Sequence, residues 1–172
     1  MNEFKIPFVG IEPAIKPAAM QTKSGLIGVL ATKGTLSSGL FGSTTNDYAS
    51  EIKIIEKNAE GLVELIEKGF IDGDKIEKNL KKYLFPMIDK GIDHLVLGCT
   101  HYPLLIKTIR SLIPKNIKII DSGKAVAKQT KKLIEKNNIE SNLIEVKYSF
   151  YCNGSPKSLN MILNNTFAIN SI

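Results

Sequence analysis

Residues 93–103 read Asp93-His94-Leu95-Val96-Leu97-Gly98-Cys99-Thr100-His101-Tyr102-Pro103. Residues 93–97 read as a short buried strand within the largely apolar stretch 94–99, and Gly98 follows at once. Pro103 suits the first turn of a helix, which the apolar spacing then carries to about Leu112. A buried strand feeding directly into a helix is half of a βαβ unit, and the same alternation recurs on both sides. Upstream, residues 25–31 (GLIGVLA) form another buried strand, and residues 32–38 (TKGTLSS) form a hydroxyl-rich turn able to cap the helix after it. Residues 51–56 alternate weakly, as a strand does. Residues 59–68 carry Leu62, Leu65 and Ile66 at helical spacing, with Gly69 as the stop. Residues 74–90 place Ile76, Leu80, Leu84, Met87 and Ile88 on one face before Gly91. Downstream, a strand over 117–120, a helix over 125–136, a last strand over 146–151 and a closing helix over 158–167 complete the pattern. Strands alternating with helices at this spacing predict an α/β fold, with a mostly parallel sheet flanked by helices on both faces.

Composition narrows the function classes. The chain has 172 residues, 43% of them hydrophobic and 23% charged, which fits one globular domain and excludes disordered and disulfide-scaffold classes. Its longest apolar runs fall far short of the roughly 18 residues a membrane span needs. The first ten residues hold no apolar core of signal-peptide length, so a cytoplasmic protein with no membrane partner is expected. The net charge of +6 invites a nucleic-acid reading. Against it, Arg110 is the only arginine and the lysines alternate with Glu and Asp, as on solvated helix faces. No nucleic-acid partner is expected. Cys99 and Cys152 have neither metal-ligand spacing nor the number for a disulfide framework, so no metal is expected. The glycines around residues 25–34 do not make a phosphate loop.

In open α/β sheets, ligands bind beyond the carboxyl ends of the strands. Three such ends carry polar residues here: 32–38, 99–101 and 121–123. Their convergence on one edge is expected from topology. Cys99 is the sharpest feature. A thiol at a helix start faces the positive dipole end and free N–H groups, which lower its pKa and suit it as a nucleophile or general base. The bland alternative is a small buried hydrophobe. His101, two residues on, either caps the helix or tunes the thiol. Thr32 and Thr35 are either plain caps or donors to a bound carboxylate or phosphate. His94 reads as structural. In Asp121-Ser122-Gly123, Ser122 is expected to cap and Gly123 to relax the backbone. Cys152 reads as a bystander.

Four blocks, taken together, resemble the glutamate racemases. Residues 97–105 (LGCTHYPLL) are similar to that family's second cysteine motif. Residues 10–18 (GIEPAIKPA) resemble its interdomain connector, residues 31–39 (ATKGTLSSG) its threonine-rich substrate loop, and residues 120–127 (IDSGKAVA) its aspartate-serine-glycine helix start. The resemblance implies a cofactor-independent racemase of two pseudo-symmetric α/β lobes with glutamate between them. Each lobe supplies one cysteine, so that one thiolate removes the α-proton and the opposite thiol returns one. Cys99 would be catalytic, deprotonating L-glutamate. Thr32, Thr35, Thr100 and His101 would bind the substrate or tune the thiol. The product, D-glutamate, would feed peptidoglycan synthesis. A homodimer is one assembly open to such a protein.

By the same resemblance, residues 1–22 are the connector, 23–121 the C-terminal lobe, and 122–172 a helix-strand-helix returning to the N-terminal lobe. That lobe, with its own aspartate-serine-glycine loop and the first cysteine, has no counterpart in these 172 residues. Cys152 does not match its setting. The expectation is a half-enzyme, inactive or nearly so by itself. Three other readings compete: a sister racemase acting on aspartate or a hydantoin, a non-enzymatic or degraded α/β domain, and a basic nucleic-acid binder.

Overall fold

In the computed structural model, residues 6–48, 52–139, 141, 145, 148–151, 153 and 156–164 are described. The two apolar runs become the central strands, β1 (Leu26–Ala31) and, third in chain order, β3 (His94–Gly98). Both are buried along nearly their whole length, because helices cover both faces of the sheet. The outer strands β2 (Lys53–Asn58) and β4 (Lys118–Ile120) are partly exposed. The order is β2-β1-β3-β4 and every pairing is parallel. The register aligns Ile27 with His94 and Ala31 with Gly98, and continues with Val96 beside Ile120. β2 lies two residues beyond the expected 51–56, because pairing with β1 from Leu26–Lys53 to Ala31–Asn58 sets its bounds.

Two cores sandwich the sheet. One face is covered by α4 (Leu62–Glu67), α5 (Asp74–Ile88) and α6 (Ile106–Leu112), around Leu30, Ile66, Leu80, Leu84 and Leu95. On α5 the buried residues are Ile76, Leu80, Tyr83, Leu84 and Met87, a helical stripe, while Ile88 is only half-buried. Gly69 and Gly91 follow α4 and α5 at φ +85° and +86°, as expected of helix stops. The other face is covered by α1 (Ile15–Ala19) and α3 (Gly39–Tyr48), which bring Ile15, Ala18 and Phe41 onto Ile27, Val29 and Val96. Short α2 (Lys33–Leu36) precedes α3.

Farther along, the chain departs more from expectation. α7 (Gly123–Asn137) is slightly longer than expected and has no buried residue. Its half-buried positions, Val126, Thr130, Leu133 and Ile134, share one side, and Lys124, Lys128, Lys131, Lys132 and Lys136 lie exposed around the other. The strand expected over 146–151 is absent from 148–151, its described part. A strand exists only through ladder pairing, and the four strands of the sheet are already accounted for. Residues 146, 147 and Cys152 lie outside the described residues. α8 (Pro156–Asn164) starts two residues before the expected helix and lies against α4, with Met161 filling the space that a side chain on Gly69 would need. The expected end of that helix, at 165–167, lies outside the described residues. Among the described residues, no helix is long and apolar enough to cross a membrane.

Candidate functional site

The strand order itself creates the crevice. From β1 the chain crosses to β2 on one side, and from β3 it crosses to β4 on the other, so the loops after β1 and β3 part company. Such a switch point leaves a cleft at the carboxyl ends of the two strands. A cavity of about 560 Å³ lies there. Thr32, Thr35 and Ser38 line it from the turn after β1, and Cys99 and Thr100 from the turn after β3. Asp121 and Gly123 line it from the turn after β4, and Ile11, Glu12 and Pro13 from the connector. The three polar strand ends therefore do converge.

Cys99 is half-buried at the cavity wall, directly after β3. Its Sγ lies 3.9 Å from Nδ1 of His101. The other ring nitrogen of His101, Nε2, is 3.3 Å from Oε1 of Glu67 at the end of α4. His101 thus stands behind the thiol, between it and a carboxylate, and does not line the cavity. The chain turns as a 3-10 helix over Tyr102–Leu105 before α6. Tyr102 is fully buried, and its hydroxyl donates to the Ala59 carbonyl at 3.3 Å, anchoring the turn that carries Cys99. Burial above all, with Cys99 close by, raises the Tyr102 phenol, so this group acts as an anchor and not as a base.

The expected depression of the Cys99 pKa is not what the structure shows. Burial, the largest influence, pushes the thiol up, and the backbone N–H groups of His101 and Tyr102 pull it down by less. The expectation counted the donors at the helix start and missed the apolar wall. In this state Cys99 is a thiol, a proton donor.

Thr32 is a cap that also stands on the cavity wall. Its Oγ1 accepts from the Thr35 N–H at 3.4 Å, capping α2, and the two hydroxyls are 3.1 Å apart at the cavity wall. Ser38 accepts from the Phe41 N–H at 3.2 Å and so caps α3. The roles expected in the third turn are redistributed. Ser122 makes no side-chain cap to its helix; its hydroxyl donates to the Glu12 carbonyl and ties the connector to this turn. Asp121 takes over, its Oδ1 accepting from the Gly123 N–H at 2.7 Å. Gly123 is not at positive φ. A Cβ there would stand 2.9 Å from Asp121 Oδ1, so a larger residue would push that carboxylate aside.

Glu67 and Glu12 were not expected at the site, while Ser38 and Asp121 lie in strand-end turns expected to converge but were given no ligand-binding role. Nothing linear links Glu67 to His101, because they meet only through the packing of α4 beside the cysteine turn. Asp121 did have a signal, its place at a strand end, but the tripeptide reads first as a helix start. At the opposite end of the sheet, buried His94 donates through Nδ1 to Asp93 Oδ1 at 2.7 Å, away from the cavity.

A family model described as Asp/Glu/Hydantoin racemase matches residues 2–130. The chain belongs to this family. Among racemases named in full, it is 40% identical over 157 residues to a glutamate racemase of Pseudomonas putida strain F1, covering 91% of this chain and 59% of that protein. The chain therefore spans about three-fifths of the length of this curated relative. The glutamate racemase of Escherichia coli, solved with L-glutamate and the activator UDP-MurNAc-ala, superposes with a TM-score of 0.70 at 38% identity, over 77% of this chain and 51% of that one. The glutamate racemase of Francisella tularensis, solved with D-glutamate, gives 0.72 at 27% identity, over 88% and 57%. The α/β sheet described above is thus shared with about half of each racemase chain.

Proposed function

We propose that this chain is the Cys99-bearing part of a glutamate racemase. Cys99 carries the reading: a thiol on the wall of a switch-point cavity, flanked by the hydroxyls of Thr32, Thr35 and Thr100, in a chain of the racemase family. The names of its relatives and the L-glutamate held by the Escherichia coli neighbour support glutamate as the substrate. The chemistry needs no cofactor. Cys99, as thiolate, takes the α-proton from L-glutamate, and a thiol on the opposite face gives one to the carbanion, inverting the centre. In the reverse direction Cys99 is the donor, the state in which burial holds it. The hydroxyls bind the polar groups of the substrate. His101, held by Glu67, sits where it can stabilise the thiolate when it forms. D-Glutamate made this way would serve peptidoglycan assembly.

The opposite thiol belongs to a lobe outside these 172 residues. The test is complementation. This chain is mixed with a chain carrying the first-cysteine lobe of a relative, and L-glutamate is followed by circular dichroism. Loss of optical activity that needs both chains and disappears with Cys99→Ser is the expected result. Turnover that survives Cys99→Ser would remove Cys99 from the reaction.

A further inference from the structure

We propose that Asp121 binds the α-ammonium of the substrate and thereby selects amino acids over dicarboxylates that lack the ammonium. The inference rests on the reading of the cavity as the glutamate site and extends it. The register carries the first step. Val96 pairs with Ile120, so Asp121 is the next residue along β4's course, beside Leu97. Adjacent strands run about 4.8 Å apart. Cys99 is two residues past Leu97, and both Asp121 and Cys99 line the same cavity. The carboxylate is therefore within reach of an α-carbon presented to the thiol.

Charge carries the second step. The cavity is lined by two acidic residues, Glu12 and Asp121, and among the described lining residues none is Lys, Arg or His. A ligand with only negative groups meets net repulsion there. An α-amino acid brings one cation, bonded to the carbon that reacts, and a carboxylate is its natural acceptor. Glu12 is exposed on the connector, whereas Asp121 is half-buried and oriented. Its Oδ1 is held by the Gly123 N–H at 2.7 Å, and a carboxylate has capacity for further donors beyond that one. Glycine at 123 leaves the carboxylate its place, since a Cβ there would stand 2.9 Å from Oδ1. Thr32, Thr35, Ser38 and Thr100 remain for the ligand's carboxylates.

The test is calorimetric titration of the full chain with L-glutamate and with glutarate, the same five-carbon dicarboxylate without the amine. Asp121→Asn keeps an Oδ1 acceptor for the Gly123 N–H and removes only the charge. Wild-type chain is expected to bind L-glutamate at least about tenfold more tightly than glutarate, the scale of one charge-assisted hydrogen bond. In Asp121→Asn, L-glutamate binding weakens about tenfold while glutarate binding tightens, so the preference vanishes. Equal weakening of both ligands, or an unchanged preference, overturns the role of Asp121 and leaves the glutamate site standing. Wild-type chain that binds glutarate as well as L-glutamate overturns it without any variant. Wild-type chain that binds neither ligand, both alone and with the first-cysteine lobe of a relative present, overturns both this role and the glutamate reading.

Discussion

Cys99 is governed by opposing influences, and their balance decides when it reacts. Burial raises its pKa above the ordinary value of 9.0, against the pull of two backbone N–H groups. At pH 7 less than about 1% of it is thiolate, the most that an unperturbed thiol of that value would give. Iodoacetamide should therefore label Cys99 slowly near neutrality, with a rate rising about tenfold per pH unit up to and beyond pH 9. Levelling off below pH 8.5 would contradict the assignment. In the same assay Glu67→Gln should slow labelling by about two- to fivefold, the scale of a part-exposed ion pair. Labelling resolved by peptide mapping separates Cys99 from Cys152. The position of Cys99 at a strand end was legible in the sequence, since an apolar run, a glycine and a proline bracket it. Its pKa was not, because the apolar groups that bury it come from elements far away in the chain. Glu67 stayed hidden for the same reason, and Asp121 hid behind a capping role that it also performs.

At the scale of elements, sequence was informative where burial is two-sided or periodic. β1, β3 and α5 follow from apolar runs and a helical stripe. α3 has no such signature: it reads GLFGSTTNDY, buries only Phe41, and is fixed by the Ser38 cap and by packing on the sheet. The alternation at 146–151 predicts a strand only if a neighbour offers a ladder, which a local pattern does not reveal. The entry to β3 supplies a sharper test. Asp93 accepts from Thr22 Oγ1 at 2.7 Å and from the Lys23 and Ser24 N–H groups at 2.6 and 2.9 Å, as well as from His94. One carboxylate thus joins the start of β3 to the chain entering β1. Burial alone would raise its pKa, but the bonds from His94, Thr22, Ser24 and Lys23 together hold it well below the usual carboxylate range. A depressed folded-state pKa means stability that is present above the unfolded value and lost as pH falls below it. Asp93→Ala should cost roughly 1–3 kcal/mol at neutral pH, read by urea denaturation. The gap from wild type should narrow once pH drops below about 3.8, the ordinary value for this group. A gap that stays constant from pH 7 to pH 2.5 would show that the carboxylate's charge plays no part in joining β3 to β1.

For the whole molecule, the decisive quantity is how much of a racemase it spans. The chain covers 59% of its Pseudomonas putida relative and 51% of the Escherichia coli structure, yet its own sheet has both faces packed. What stands open is the cavity side. Ile11 and Leu40, which line the cavity, are 52% and 50% exposed, and α7 buries nothing. An amphipathic helix with only half-covered apolar residues, in a molecule whose cavity side stands open, is a surface that would gain by being covered. On the proposed mechanism, Cys99 is one of two acid/base groups that approach the α-carbon from opposite faces. A single thiol returns the proton to the face from which it came, so configuration is retained. The 172 residues alone should leave L-glutamate optically unchanged in a circular-dichroism assay at any pH where they remain folded. Racemisation by the purified chain that is abolished by Cys99→Ser would show instead that the half-site suffices, with the second proton coming from solvent or from a group not yet placed at the cavity.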